Sequence, residues 1–320
     1  MRTINKKHKM FFIILFLFNA SFSYGQSDYL YNQFVPLDFI LNPAKVANEK
    51  NGVYLFWRNQ WSGFKNNPQF YSASGHFLIH NNLYLGGVIS KNDYGGAFSN
   101  HTIQISTAWR GRLPGEGHFF SLGIACKGNQ LKSDFSDIVL LDQNDLEFPQ
   151  SITMKNYIDY SAGFSYRYKF LKTGLSSTSL IGLLGEKKEF PYNKTIIAEL
   201  GFLLNKDKNK ESNSDGITQL NFRSRFSDSK VWQVETLFDY FASANYGIGC
   251  GFRFDFRENK GNSIIFHILF KLSKDNGKGR KALIGFGPEF SVFNNSLNQS
   301  NKGSYEGFGG YEFPVKKSTK

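Results

Sequence analysis

Cysteine is nearly absent: Cys126 and Cys250 are the only two in 320 residues, too few for a disulfide scaffold. Proline is scarce as well, with 8 residues, and no Pro-rich linker or break in composition divides the chain, so a single domain is expected. Charged residues make up 20%, somewhat under the globular norm of about 25%. Past Gly25 no apolar run approaches the 18 or so residues of a membrane-crossing helix. Helical periodicity is hard to find anywhere. Catalytic signatures are missing too: there is no nucleophile elbow, no HExxH and no phosphate-binding lysine motif. An enzyme is therefore not expected, nor a cofactor, a metal site or a nucleic-acid partner.

What the chain does have is aromatic residues, 17% of the total with 34 Phe and 16 Tyr, and 31 Gly. Aromatics favour strands, and glycine marks turns, bulges and close approaches. The composition points to an all-β fold.

The first 25 residues have the layout of an export signal. Arg2, Lys6, Lys7 and Lys9 form a basic start, Met10 to Phe18 is an unbroken apolar run, and Ser23 and Gly25 supply small residues at a cleavage site. Residues 1–25 are expected to be removed, with Gln26 beginning the mature chain. The net charge then falls from +12 by four to +8. That surplus fits a solvated basic surface; it also fits contact with anionic lipid head groups or an acidic partner.

Beyond the leader, alternation with period two is nearly continuous. In Tyr246 to Phe256, Tyr246, Ile248, Cys250, Phe252, Phe254 and Phe256 share one face, while Gly247, Gly249, Gly251, Arg253 and Asp255 share the other. Ile158 to Tyr168, Trp232 to Tyr240, Ile103 to Arg110 and Phe120 to Lys127 repeat the pattern. Successive strand side chains point to opposite faces, so the pattern means a sheet with one apolar and one polar side. Many runs are longer than the 5–6 residues or so usual in globular proteins and match the roughly 9–11 of a membrane-spanning strand.

About fourteen such segments can be placed, an even number, as in bacterial single-chain barrels. They start near Gly52, Pro68, Leu83, Asn100, Gly117, Asn156, Leu171, Thr195, Gly216, Lys230, Asn245, Gly261, Gly279 and Ser304. An open sheet edge in hydrocarbon is too costly, so closure is required. The expected fold is a transmembrane antiparallel β-barrel of the outer membrane, residues 26–320. Tight links such as Asn81-Asn82 and long ones such as Gln130 to Lys155 are expected to sort to opposite ends, short turns on the periplasmic side.

Candidate sites are few. His76 and His80, four apart on a strand, stand about 13 Å from each other, too far to share a metal. The acidic loop with Asp134, Asp137, Asp142, Asp145 and Glu147 lacks the spacing and the glycine of an EF-hand. The Gly247, Gly249 and Gly251 series has no helix after it and reads as small residues facing a crowded interior. The polar face carries Asp159, Arg167, Glu199, Arg223, Arg225, Glu235, Asp239, Arg253 and Asp255, which point inward in a closed barrel. Buried charges must be paired or wet, so they form a network filling the lumen or line a pore; the near balance of signs favours the network.

Several segments resemble the PorP/SprF family of outer-membrane proteins of the type IX secretion system and the associated gliding machinery. These are Tyr31 to Phe34 followed by Leu41-Asn42-Pro43-Ala44; Arg58-Asn59-Gln60-Trp61-Ser62-Gly63-Phe64 with Pro68 after it; Leu85-Gly86-Gly87 with Asn92 to Gly96; Phe120 to Ile124 with Leu131 to Asp145; and Tyr157 to Leu180. The resemblance spans roughly residues 28 to 182. It departs at Lys45-Val46-Ala47, where the family has small residues, and at Asn66-Asn67, in place of Gly-Ala. It implies a non-enzymatic barrel that supports secretion or surface display of a cargo such as an adhesin, embedded in outer-membrane lipid and contacting periplasmic components of the system. Asn42, Pro43, Arg58, Gln60, Trp61, Gly63 and Phe64 then either lock the first hairpin or contact a partner, and the loop from Gln130 to Lys155 is a candidate for partner engagement. A channel or transporter for small solutes or apolar molecules is the alternative. A barrel hydrolase would need a Ser or His dyad at one rim, and none stands out.

Overall fold

A computed structural model describes residues 34–47, 50–134, 153–180, 195–204, 217–227, 232–241, 246–255, 262–273, 280–291 and 303–314. A helix α1 (Phe34–Leu41) and a 3-10 turn (Pro43–Val46) precede fourteen strands. These are β1 (Lys50–Asn59), β2 (Gln69–His80), β3 (Leu83–Asp93), β4 (Phe98–Arg112), β5 (His118–Ser133), β6 (Thr153–Tyr168) and β7 (Leu171–Ser177). They continue as β8 (Thr195–Leu203), β9 (Ile217–Ser227), β10 (Trp232–Phe241), β11 (Tyr246–Asp255), β12 (Ser263–Ser273), β13 (Lys281–Ser291) and β14 (Ser304–Pro314). Each begins within three residues of the position expected from the alternation.

Every strand pairs antiparallel with its neighbours in sequence, and β1 closes the ring against β14 from Lys50↔Pro314 to Asn59↔Tyr305. No edge is left open, which is what a sheet needs to sit in lipid. Among the described residues no helix is long and apolar enough to cross a membrane; the strands cross it. Apolar side chains such as Leu55, Ile89, Ile103, Ile124 and Ile248 stand exposed on the outer wall. Aromatics ring both ends of that wall: Trp109, Tyr240 and Tyr246 at one, Trp57, Tyr71, Phe98 and Phe254 at the other. This is an outer-membrane barrel, and its core is the lumen.

The chain enters β1 and leaves β14 at the same end, here the terminal mouth. Asn81-Asn82 and Lys169-Phe170 connect strands tightly there, but so does the longer stretch 204–216, so connection length does not sort strictly by end. The stretch Gln130 to Lys155 is also not all loop. Leu131 pairs with Lys155 and Ser133 with Thr153, which extends β5 and β6 to 16 residues each. Polar residues in these strand ends hid the extension; residues 135–152, with Asp137, Asp142, Asp145 and Glu147, lie outside the described residues.

Candidate functional site: the plugged lumen

The segment before β1 folds back inside the ring. Only Asp38 interrupts the apolar run of α1, whose two turns are too short to show periodicity, so a helix was not expected there. Asn42 ends the helix by donating its backbone N–H to the Asp38 carbonyl at 2.9 Å. Its side chain then caps the 3-10 turn, its Oδ1 accepting from Ala44 N at 3.0 Å, with Pro43 pre-set for the first turn position. The other end of the same amide, Nδ2, donates to the carbonyl of Phe164 on β6 at 3.1 Å. One fully buried side chain thus builds the plug and moors it to the wall.

The wall is cut to receive it. A Cβ built at Gly86 of β3 would strike Val46, at Gly123 of β5 would strike Pro43 and Ala44, and at Gly163 of β6 would strike Asn42. At Gly174 of β7 it would come within 3.1 Å of Asn42 Nδ2. Four strands therefore present glycine where the segment from Asn42 to Val46 touches them. Phe39 fills the remaining apolar side against Tyr54 and His76, at ring distances of 6.5 and 5.2 Å.

Charged residues occupy the opposite wall as a belt of alternating sign. Glu306 of β14 pairs with Arg58 of β1. Arg58 also reaches Glu289 of β13 at 2.7 Å, and Glu289 meets Arg253 of β11 at 2.5 Å. Arg253 binds Glu235 of β10 at 2.6 Å; Glu235 faces Arg223 of β9 at 3.7 Å; Arg223 holds Glu199 of β8 at 3.0 Å. The belt ends on the plug, where Lys45 pairs with Glu199 at 2.5 Å and Arg223 with Asp38 at 2.7 Å, while Asp38 and Lys45 pair at 2.9 Å. Desolvation works downward on the Lys45 ammonium, but the carboxylates of Asp38 and Glu199 outweigh it and hold its pKa above the ordinary value. Lys45 thus stays charged in its seat.

Of the polar-face charges, Glu199, Arg223, Glu235 and Arg253 meet in this belt. Asp239 lies beside it, bound by His267 at 2.6 Å and by Asn221 at 3.1 Å. Arg225 is buried on β9, and Asp159 is buried on β6, on the far wall. Arg167 stands at the terminal mouth, 5.9 Å from the Phe119 ring; the Asp255 side chain is outside the described residues. The sequence reading missed Asp38, Lys45, Glu289 and Glu306 and did not connect Arg58 to the charges. Glu306 lies in a run where Phe308 points inward and glycines stand at 307, 309 and 310, which blurs the alternation. The Lys45 that departs from the family pattern is the one that ties plug to belt. Gly247, Gly249 and Gly251 do face crowded ground, against Phe241, His267 and Leu237.

The Arg58 to Phe64 block sits at the closing seam. Past Arg58, Asn67 bonds to Asn59 and to the Gln60 carbonyl, the latter at 2.9 Å, and Gln60 N donates to the Pro68 carbonyl at 2.9 Å. Trp61 takes a left-handed φ of 55° and Gly63 one of 110°. The last strand holds them: Trp61 N donates to Ser304 Oγ at 3.1 Å and Ser62 N to the Gly303 carbonyl at 2.7 Å. The block therefore fixes not only its own hairpin but the junction of first and last strands.

No histidine, cysteine or carboxylate group of three or more among the described residues is arranged to hold a metal; His76 is buried, its Nε2 2.9 Å from the Lys50 carbonyl, and His80 is exposed.

Comparison with known proteins agrees with the architecture. Among solved structures, the CymD monoaromatic hydrocarbon channel superposes with a TM-score of 0.50 at 9% identity, over 90% of this chain and 95% of its own. A Pseudomonas aeruginosa FadL homologue gives 0.46 at 9% identity over 85% and 92%, and Acinetobacter baumannii Omp33 gives 0.45 at 9% over 83% and 99%. At 9% identity the likeness to CymD shows a fold and nothing further. No curated protein sequence matches the chain. The profile of the type IX secretion system membrane protein PorP/SprF matches residues 23–311, well past the half in which the motifs were recognised. The chain belongs to the PorP/SprF family of type IX secretion system membrane proteins.

Proposed function

We propose that this barrel is a non-enzymatic scaffold that supports type IX secretion or surface display of a cargo protein such as an adhesin, with a lumen kept shut by its own N-terminal segment. The observation that carries the reading is the seat of the plug: an amide anchor to β6, a four-glycine cradle and ion pairs from Asp38 and Lys45 into the wall. These directional contacts hold the lumen shut, as a scaffold requires and an open pore does not. Residues 1–25 serve as the export signal. The terminal mouth faces the periplasm, where the tight turns of such barrels lie, and meets the periplasmic components; the opposite mouth faces outward and meets cargo.

Deleting 135–152, which spares the paired ends of β5 and β6, is expected to abolish surface display of the cargo while the barrel still folds. Unchanged display would refute the role given to that loop. The alternative, a channel for small solutes or apolar molecules, draws on the fold it shares with a hydrocarbon channel. Planar-bilayer recording separates the two: the scaffold reading expects no unitary conductance from the purified chain, and steady open-channel currents would favour the channel.

A further inference from the structure

The ring is closed over the height its strands share, but the strands do not end together. Among the described residues, register partners link β6 to β7 only from Ala162↔Ser177 to Tyr168↔Leu171, while β6 stays paired with β5 up to Thr153. Thr153 to Ser161 therefore rise past the end of β7, toward the mouth opposite the terminal one. The chain leaving β7 does not follow them. The Thr178 carbonyl accepts from Lys127 Nζ at 2.8 Å, and Lys127 lies on the inward face of β5, so the backbone turns over the lumen instead of running beside β6. Ser179, the next residue, is buried.

The ladder fixes where the backbone groups of this stretch point. In an antiparallel sheet each residue bonds one neighbour and the next residue bonds the other. Leu113 N donates to the His118 carbonyl at 3.2 Å, and Leu203 N to the Phe170 carbonyl at 2.8 Å. Carried through the registers, these two bonds give the same parity: odd-numbered residues of β6 bond β5, and even-numbered ones face the β7 side. Tyr160 closes its own N–H onto Asp159 Oδ1 at 2.7 Å. Met154, Asn156 and Ile158 direct their N–H and C=O groups sideways with no strand beside them among the described residues, and all three are exposed. A row of exposed polar side chains crosses the outer wall at this height: Lys91, His101, Gln130 and Asn156, each the register partner of the next. Such a row ends the apolar band, so Met154 stands beyond the lipid and Ile158 at its border.

We propose that this stretch of β6 takes up an extended segment of another protein, which adds as a strand beside Met154, Asn156 and Ile158. A row of alternating donors and acceptors is matched by a polypeptide backbone and by no ion or lipid head group, and sheet edges of this kind bind by strand addition. Met154 and Ile158, both outward, give the incoming strand apolar neighbours on one face. A second barrel pairing antiparallel through the same edge would stand inverted in the membrane, so a copy of this chain does not fit. That the segment belongs to the cargo rests on the scaffold reading and on the outward orientation of this mouth; the strand addition itself does not.

The test uses the folded full chain in a neutral detergent and a fluorescein-labelled nonapeptide of alternating Thr and Val, N-methylated at each Val so that one edge alone can pair. Anisotropy should show saturable binding, and the fully N-methylated peptide should show none. Ile158→Pro removes one edge-facing N–H while sparing the bonds to β5, and should raise the Kd about fivefold or more. Asn156→Pro is a second variant of the same kind, and Ile158→Thr, which keeps the donor, should bind as the parent does. Heat-modifiable gel mobility checks that each variant folds. Amide exchange read residue by residue should find Asn156 and Ile158 fast in the free chain and slowed by the peptide, with Tyr157 slow throughout. No saturable binding, or an unaltered Kd in the folded proline variants, would overturn the proposal. So would slow exchange of Asn156 and Ile158 in the free chain, which means that the chain itself covers the edge. A dimer in sedimentation that Ile158→Pro dissolves would also overturn it, giving the edge to a second copy. If a maleimide reached Lys155→Cys only from the periplasmic side while the peptide still bound, the assignment to cargo alone would fall.

Discussion

Arg58 shows how much one side chain can be asked to hold. It is 2% exposed and divides its guanidinium between Glu289 and Glu306, carboxylates 231 and 248 residues away. Arg58→Ala leaves both carboxylates buried without their shared cation and should cost about 3–5 kcal/mol, seen as a lower urea midpoint for loss of heat-modifiable mobility. Arg58→Lys should recover only part of that, since an ammonium lacks the planar fork that serves two carboxylates at once. Gly163 carries the converse constraint. Gly163→Val puts methyl groups where Asn42 sits, so the plug should loosen while the hydrogen-bonded ring persists. The readout is tryptic cleavage after Lys45, expected to be slow in the parent chain and fast in the variant.

Among the elements, the plug is moored through three side chains, Asn42, Lys45 and Asp38. Asn42→Ala removes the cap and the link to Phe164, and Lys45→Gln removes the ion pairs to Asp38 and Glu199. Either change alone should leave the lumen closed; together with Asp38→Asn, which removes the ion pair to Arg223, they should release the segment and turn a silent barrel into one with measurable unitary conductance in planar bilayers. The strands were readable from sequence because a wall between lipid and lumen enforces strict alternation, as in Tyr246–Asp255, where every second residue is exposed and apolar. Legibility failed where that constraint lapsed. In Ser263–Ser273 both Ile264 and Ile265 are apolar, though only Ile265 is fully buried, so the run gives no inward face. The plug is legible in the sequence as a motif and not as a helix, since a segment packed inside a ring has apolar contacts on several sides. The inward charges of β8 to β11 could be named, but their pairing could not, because partners across a closed lumen are set by register and curvature.

At the scale of the whole molecule, the inner surface divides into two walls of different chemistry. One, from β3 to β7, is lined by Ser, Gly and amide side chains such as Gln104, Ser106, Ser121, Ser161 and Ser176, and it carries the plug. The other, from β8 round to β1, carries the ion pairs. Glu235→Gln and Arg253→Gln each leave the other member of a pair now 2.6 Å apart buried without this partner, so the double variant should lose less stability than the two single losses added together. A double-mutant cycle on the urea midpoint measures the difference.

The junction at Trp61 has a consequence for how the chain reaches this state. A non-glycine residue at φ 55° is unfavourable in isolation, and what holds it there is Gly303 and Ser304, among the last parts of the chain to be made. Arg58 likewise waits for Glu289 and Glu306. The opening hairpin therefore cannot settle until the final strand arrives, and a chain cut short before β14 keeps a restless first hairpin and an Arg58 without Glu306 as well as two raw edges. Completeness of synthesis is thereby sensed at the barrel's beginning, and unfinished copies stay open to periplasmic proteases.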